Sequence, residues 1–325
     1  MTDTTILAAA PRQAPQPRTT PKGAGLEGFF EYLCFAAATM LLVTLGGILV
    51  SLLIGGWPAF AKFGFTFFVT SNWDPVQGVF GIAALMVDTV FVALLALLMA
   101  VPISFGVAFF LVELCPSFLR RPIGTAIELL AGIPSIVYGM WGLFIFGPLF
   151  ANYIEQPLMN AAPPGSIWDK LTQGVPNGTG ILAASIIVAM MVLPFIAATL
   201  RELLMTVPPQ VRESAYGLGA ATSEVVMKVT LPYVRRGAIG AVMLGLGRAL
   251  GETMAVTFII GNAHNFPRGL FDAGATIAST IANEFAEATS PMHTAALLAS
   301  GFILFVITFV VLAMARMLIG QQRNG

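Results

Sequence analysis

Two residues of opposite charge lie within one apolar stretch and could act on an ion: Arg248 and Glu252, in GLGRALGETMAV at 245–256. On a helix, residues four apart share one face about 6 Å apart along the axis, so the two can pair. A guanidinium keeps its charge and offers paired planar donors that suit a tetrahedral oxyanion. Glu252 repels an anion, but it can hold Arg248 in place and accept a hydrogen bond from an anion that carries a proton, as phosphate does near neutral pH. The alternative is an ion pair that only joins two helices.

Two further ionisable residues, Asp88 and Glu128, are predicted at membrane depth. A charged side chain there costs about 2.5 to 3.5 kcal/mol on insertion scales, which makes each residue a candidate for a functional role. A structural role is equally open: Asp88 could bond to a neighbouring helix, and Glu128 could pair with Arg120 or Arg121. Both therefore stand as possible path or structural residues.

Other chemistry-bearing patterns are missing from the sequence. His264 and His293 are too far apart for a helical metal pair, and Cys34 and Cys115 form no C-x-x-C motif, so we predict no metal site and no cofactor. There is no Gly-Lys-Ser or Gly-Lys-Thr to cradle a nucleotide phosphate. The net charge of zero gives no case for nucleic acid.

The composition indicates an all-α polytopic membrane protein. The chain is 57% hydrophobic and 10% charged, against about 25% charged in ordinary soluble domains. A crossing helix needs about 20 mostly apolar residues. Six segments meet this requirement: 30–54, 80–112, 123–149, 180–200, 237–261 and 294–318.

The distribution of cations predicts the orientation. With six crossings, twelve of the 16 Lys and Arg residues fall on one side and three on the other, with Arg248 in the membrane. The positive-inside rule then places both termini and the loop 201–236 in the cytoplasm. For a chain that looks prokaryotic, this predicts a multi-pass protein of the bacterial plasma (inner) membrane. Outside, the aromatic segment 55–79 is predicted to lie in the interface or pack as a small helix, and 150–179 to cap the surface.

The loop 201–236 carries the spacing E-A-A-x3-G-x9-I-x-L-P, with Ser214 and Val229 as mild departures. The matching residues are Glu213, Ala215, Gly219, Val229, Leu231 and Pro232. Gly217 and Gly219 allow a sharp left-handed turn, and Pro232 is expected to end the element before it. The pattern resembles the cytoplasmic loop of ABC importer permeases, which implies a helix-turn-helix that docks on a separate ATP-binding subunit. The alternative is an ordinary amphipathic connector.

Two segments, LLAGIPSIVYGMWGLFIFGP at 129–148 and GLGRALGETMAV at 245–256, resemble the PstC-type permease subunits of phosphate ABC importers. The resemblance implies the type I importer (MetI-like) permease fold, and roles in translocation for Arg248 and Glu252. It also implies a non-catalytic subunit in the lipid membrane that works with a second related permease, two ATP-binding subunits and an external phosphate-binding protein. The predicted parts are a disordered tail at 1–28, a first crossing with its aromatic segment at 29–77, a permease core at 78–318 and a tail at 319–325.

Other functions remain open at this point. A permease for molybdate or sulfate would keep the loop and the fold but would not need Glu252. A self-contained secondary transporter should show two related halves, which the sequence does not display. A membrane-embedded enzyme would need a nucleophile or metal constellation, and the sequence offers none at suitable spacing.

Overall fold

The computed structural model describes residues 24–320, and these residues are almost entirely helical. The α-helices are α1 Ala24–Phe63, α2 Thr66–Val69, α3 Ala83–Phe109, α4 Ser117–Ala131, α5 Ser135–Trp141, α6 Gly147–Phe150, α7 Gln156–Ala161, α8 Ile167–Leu171, α9 Ile181–Met205, α10 Pro209–Gly217, α11 Thr222–Glu224, α12 Leu231–Leu250, α13 Met254–Ile259, α14 Ile277–Glu284 and α15 Pro291–Gly320. Of the predicted tail 1–28, residues 1–23 lie outside the described range, and α1 already begins at Ala24. Of the predicted tail 319–325, residues 321–325 also lie outside the described range.

Within residues 24–320, five helices are long and apolar enough to cross a membrane. They are Gly28–Phe63, Ala83–Leu114, Ser135–Ala161, Ile181–Met205 and Pro291–Met317. Each contains most of one predicted crossing, because a run of about 20 apolar residues has no stable alternative to a helix in lipid. The chain divides into two units, Met1–Val50 and Ser51–Gly325, and the packing described below belongs to the second unit.

The predicted crossing 123–149 is wrong in its boundaries. Helix α4 ends at Ala131, and a separate helical run starts at Ser135 and continues to Ala161. The break falls at Gly132–Pro134 because a proline disfavours the helical conformation of the residue before it. Helix α4 is a separate amphipathic helix that packs against α9. Glu128 therefore belongs to α4 and not to a crossing helix.

The predicted crossing 237–261 is interrupted. Helix α12 ends at Leu250, residues 251–253 are not helical, and the short helix α13 begins at Met254. The break contains Gly251 and Glu252, and glycine at a helix end lowers the cost of leaving the helical conformation. Glu252 is thus not on the same helix as Arg248.

Four π-helical segments occur in the described chain, and each ends two residues before a proline. The segments are Phe110–Leu114, Gly142–Phe146, Ala151–Glu155 and Val225–Thr230, followed by Pro116, Pro148, Pro157 and Pro232. Where the helix continues through the proline, as at Pro148, Pro157 and Pro232, the proline lacks an N–H donor and clashes with the carbonyl four residues earlier, and a wider turn relieves this conflict. Pro116 is different, because it follows the extended Cys115 and directly precedes α4. The expectation that Pro232 ends the preceding element is therefore wrong, since helix continues from Val225 through Pro232 into α12.

Helices α3, α9 and α12 pack against one another at the centre of the second unit. Helix α9 contributes the most buried residues, and its contact with α3 includes a hydrogen bond from Ser104 Oγ to the Leu193 carbonyl, 3.0 Å long. A second apolar cluster joins the aromatic segment to the start of α15, with Phe67 and Phe80 fully buried. The aromatic segment 55–79 packs as expected, but its residues 55–63 continue α1, and the small helix is α2, Thr66–Val69.

Two side-chain contacts mark the two ends of the second unit. The loop 201–236 lies at the end that we call the loop end, where Glu128 meets Arg201 at 2.8 Å. At the opposite end, Trp73 meets Glu284 at 2.8 Å. Helices α3 and α9 of this unit run between these two ends.

Candidate functional site

Arg248 lies near the end of α12 and is partly buried against α9. Its guanidinium stands over the ring of Phe195, 5.5 Å from the ring centroid. At 1.5 Å per residue, Phe195 is about 21 Å from the start of α9 and about 15 Å from its end. A hydrocarbon core is about 30 Å thick. Arg248 is therefore held at about half the depth of the crossing helices.

The expected pair between Arg248 and Glu252 is not formed. Arg248 makes no ion pair with any carboxylate in the part of the chain that the structure describes. Glu252, only 8% exposed, instead accepts a hydrogen bond from the Ala255 N–H through Oε1, at 3.2 Å. The cause is the break after Leu250, which turns the carboxylate towards the first turn of α13, where N–H groups have no partner within the helix.

Helix α5 completes the surroundings of this break. A Cβ added at Gly139 would lie 2.9 Å from the Ala255 Cα, so α5 and α13 touch through their backbones. The neighbouring Tyr138 is partly buried, and its hydroxyl donates to the Leu130 carbonyl at 3.1 Å. Elements α5, α9, α12 and α13 thus hold one cation, one carboxylate and one phenol close to a helix break.

Asp88 is completely buried in α3 and accepts a hydrogen bond from the Ala275 N–H at 3.1 Å. The next residue, Thr89, accepts one from the Ile277 N–H at 3.0 Å. Both donors belong to the segment that enters α14. A buried N–H without a partner is costly, so these two side chains tether that segment to α3.

Glu128 lies at the loop end, on α4. Its side chain is 54% exposed and pairs with Arg201 at 2.8 Å, not with Arg120 or Arg121. The guanidinium of Arg201 crosses Gly124, where an added Cβ would lie 2.8 Å from Arg201 Cζ. The pair fastens α4 to the end of α9.

The loop 201–236 is a helix-turn-helix, as its resemblance to the loop of ABC importer permeases implies. Helix α10 contains Glu213, Ser214 and Ala215, and the turn that follows it has Gly219 at φ +85°. That φ lies in the left-handed region, which glycine adopts without a steric penalty. The second helical run begins at Thr222 and contains Leu231 and Pro232 at the start of α12.

The outer surface of this loop exposes several apolar side chains. Leu218 is 90% exposed, Met227 63% and Tyr216 41%, and Glu213 beside them is also exposed. Exposed apolar residues clustered with polar neighbours are typical of a protein–protein contact. The loop therefore has the surface expected of a docking element.

At the opposite end, one carboxylate joins three aromatic side chains that the sequence analysis did not connect. Glu284 accepts one hydrogen bond from Trp73 Nε1 at 2.8 Å, and its carboxylate oxygens lie 2.7 Å from His293 Nε2 and 3.2 Å from His264 Nε2. Burial raises the pKa of Glu284, but the hydrogen bonds from His264, Trp73 and His293 outweigh it and keep the pKa below its usual value. These residues are too far apart in sequence for any local spacing to reveal the cluster. Within residues 24–320, no group of three or more His, Cys, Asp or Glu residues could hold a metal ion.

Comparison with known proteins identifies relatives over most of the chain. Residues 100–323 match the family model described as binding-protein-dependent transport system inner membrane component. The chain is 51% identical to the phosphate transport system permease protein PstC of Pasteurella multocida over 87% of this chain and 88% of that protein. It is 50% identical to the PstC of Mesorhizobium japonicum, with 89% of each chain covered, and 48% identical to that of Haemophilus influenzae, with 92% of this chain and 96% of the relative covered.

Among solved structures, a chain of the MetNI methionine ABC transporter in an inward-facing conformation has a similar fold. The TM-score is 0.52 and the sequence identity 16%, with 76% of this chain and 99% of that chain covered. The likeness concerns the fold alone. It agrees with the MetI-like permease fold expected from the sequence.

Proposed function

The chain belongs to the family of binding-protein-dependent transport system inner membrane components, and from that premise we propose that it is a permease subunit of an ATP-driven importer of inorganic phosphate. It forms half of the translocation path, and a separate subunit binds and hydrolyses ATP. The names of its relatives support phosphate as the substrate. The observation that carries the proposal is the position of Arg248.

Arg248 is a permanent cation at about mid-depth, and no described carboxylate neutralises it. Contact with the Phe195 ring stabilises the guanidinium by about 0.5 to 2 kcal/mol. This is less than the roughly 2.5 to 3.5 kcal/mol that an arginine costs at the centre of a membrane helix. An oxyanion passing α12 supplies the missing counter-charge through paired hydrogen bonds from the guanidinium.

Glu252 supplies selectivity within this proposal. Its Oε1 receives the Ala255 N–H, and we assign its second carboxylate oxygen as acceptor for the proton that phosphate carries near neutral pH. Sulfate has no such proton and would face an uncompensated carboxylate. Fixing Glu252 at the start of α13 keeps this acceptor in place without an ion pair to Arg248, so the guanidinium stays available to the anion.

The loop 201–236 receives the movement that ATP drives. Its exposed apolar residues dock on the ATP-binding subunit, and α10 and the start of α12 carry the motion to the crossing helices. The full machine contains a second related permease, two ATP-binding subunits and an external phosphate-binding protein. The predicted orientation puts the loop and both termini in the cytoplasm, where ATP is available. We assign Asp88 and Glu128 to structural contacts outside the path.

Reconstitution of the complete transporter in liposomes tests the proposal. With the binding protein outside and ATP inside, we expect labelled phosphate to accumulate in the liposomes. Unlabelled phosphate should compete with this uptake, and sulfate and molybdate should not. Omitting the ATP-binding subunits should abolish uptake. Uptake without those subunits would favour a secondary transporter, and equal competition by sulfate would contradict the role of Glu252.

A further inference from the structure

One arginine of the loop points inward instead of towards a docking partner. Arg212 lies on α10 directly before the exposed Glu213, yet its side chain is 18% exposed. Its Nη2 donates to the Leu204 carbonyl at the end of α9. Its Nη1 lies 3.4 Å from Oε1 of Glu113, whose side chain is 8% exposed. A single guanidinium therefore touches the loop-end termini of two crossing helices.

Glu113 belongs to the π-helical segment Phe110–Leu114 that extends α3. Among the described residues it has no other cation as an ion-pair partner, and Arg212 has no other carboxylate. A buried ion that loses its only partner keeps its desolvation cost, so this pair resists separation when the loop moves. The pair Glu224–Lys228 is different: it lies within the loop, with the side chains 47% and 73% exposed, and it links the loop only to itself.

One of the two helices that Arg212 touches, α9, also contacts Arg248 of the proposed anion site. Helix α3 packs along α9, and α12 packs against both. Phe195 of α9 carries the guanidinium of Arg248. A displacement of α10 that moves the loop-end termini of α3 and α9 therefore reaches the surroundings of Arg248 through packed helices.

We propose that Arg212 and Glu113 are positioning residues that transmit movement of the loop to α3 and α9, so that ATP hydrolysis is coupled to opening of the path. The inference rests on the proposed function of the chain. It concerns a step after the ATP-binding subunit has docked. Breaking the pair should leave docking intact and separate hydrolysis from transport.

The test uses the complete reconstituted transporter with Glu113→Gln, Arg212→Gln, the double Gln variant and the exchange Arg212→Glu with Glu113→Arg. The matched control is Glu224→Gln with Lys228→Gln, which breaks the exposed pair of the same loop. Three quantities are measured: the ATP-binding subunit retained on purification, ATP hydrolysis stimulated by phosphate-loaded binding protein, and phosphate taken up per ATP hydrolysed.

For Glu113→Gln and Arg212→Gln we expect parental retention of the ATP-binding subunit and at least a fivefold lower ratio of uptake to hydrolysis. The double Gln variant should show a ratio of uptake to hydrolysis no lower than that of either single variant. The exchange Arg212→Glu with Glu113→Arg should restore part of this ratio, and the control Glu224→Gln with Lys228→Gln should keep the parental ratio. If Glu113→Gln fails to assemble, Arg212→Lys decides: it keeps the charge but loses the forked contact with two helices, so it should assemble and show a lower ratio.

A parental ratio in the Gln variants that assemble, or in Arg212→Lys where they do not, would overturn the inference. So would a loss of uptake that merely follows the loss of assembled transporter at an unchanged ratio, because the pair would then serve stability alone. Failure of the parental transporter to take up phosphate would contradict the proposed function itself. The two failures are therefore distinguishable.

Discussion

Replacing Arg248 gives the sharpest prediction, because the structure shows what each substitution removes. A hydrogen bond to a charged group contributes about 1.5 to 3 kcal/mol, and a guanidinium can make two parallel ones to an oxyanion. Arg248→Gln loses both charge-assisted bonds, about 3 to 6 kcal/mol. At about 1.4 kcal/mol per factor of ten, this predicts a 10²- to 10⁴-fold loss of phosphate uptake.

Arg248→Lys keeps the charge but loses the fork and the flat contact with the Phe195 ring. A loss of about 2 kcal/mol corresponds to roughly 30-fold, so lysine should fall between arginine and glutamine. Arg235→Gln, which removes an exposed cation from the same helix, is the matched control and should transport like the parent.

The assay is uptake of labelled phosphate per assembled transporter in liposomes, at a phosphate concentration below half-saturation. Parental uptake by Arg248→Gln would refute the reasoning, since no other described cation is assigned to the path. Equal losses in the Lys and Gln variants would show that charge is not what Arg248 contributes.

Three further predictions concern the loop, the tether and the cluster at the opposite end. Gly219→Pro should abolish uptake while the chain still inserts in the membrane, because proline cannot adopt φ +85°. The control Gly217→Ala should be tolerated, because Gly217 is helical and an added Cβ would meet open space. Asp88→Ala should leave the buried Ala275 N–H without a partner, which costs about 1 to 3 kcal/mol of folding stability. We therefore expect a lower melting temperature in detergent and unchanged uptake per folded transporter. An unchanged melting temperature would contradict the tether. Because the folded-state pKa of Glu284 lies below 4.5, its ionised form stabilises the fold at pH values above 4.5, and this contribution is lost as the pH falls through the folded-state pKa. Glu284→Gln should therefore lower the melting temperature at neutral pH, and the difference from the parent should shrink in acid; a difference independent of pH would count against this.

Most of the crossings and the helix-turn-helix of the loop 201–236 could be predicted from the sequence because local patterns encode them. Apolar runs of sufficient length placed five crossings in the described residues, and Gly219 adopts the turn that its spacing indicated. The boundaries of 123–149 were wrong because α4 and Ser135–Ala161 are both rich in apolar residues, and only Gly132–Pro134 separates them. Hydropathy averages over such a short break.

The local geometry of the candidate site was harder to predict. The i to i+4 spacing of Arg248 and Glu252 indicates a pair only if the helix continues, and it ends at Leu250. The partners that the structure provides instead, Phe195 on α9 and the Ala255 N–H on α13, depend on which helices pack together. The contact of Arg212 with Glu113 likewise joins residues far apart in the chain, so no sequence pattern revealed it.

The central claim is that position 248 faces an aqueous path for an anion. In a transporter whose Cys34 and Cys115 are replaced by Ser and Ala, Arg248→Cys can be exposed to a water-soluble, membrane-impermeant thiol reagent with and without trapped ATP. We expect labelling in at least one of these states and a rate that changes between them. No labelling in either state, while Val76→Cys, at a residue that is 96% exposed and lies outside the loop 201–236, labels readily, would contradict the claim, because position 248 would then be sealed between helices.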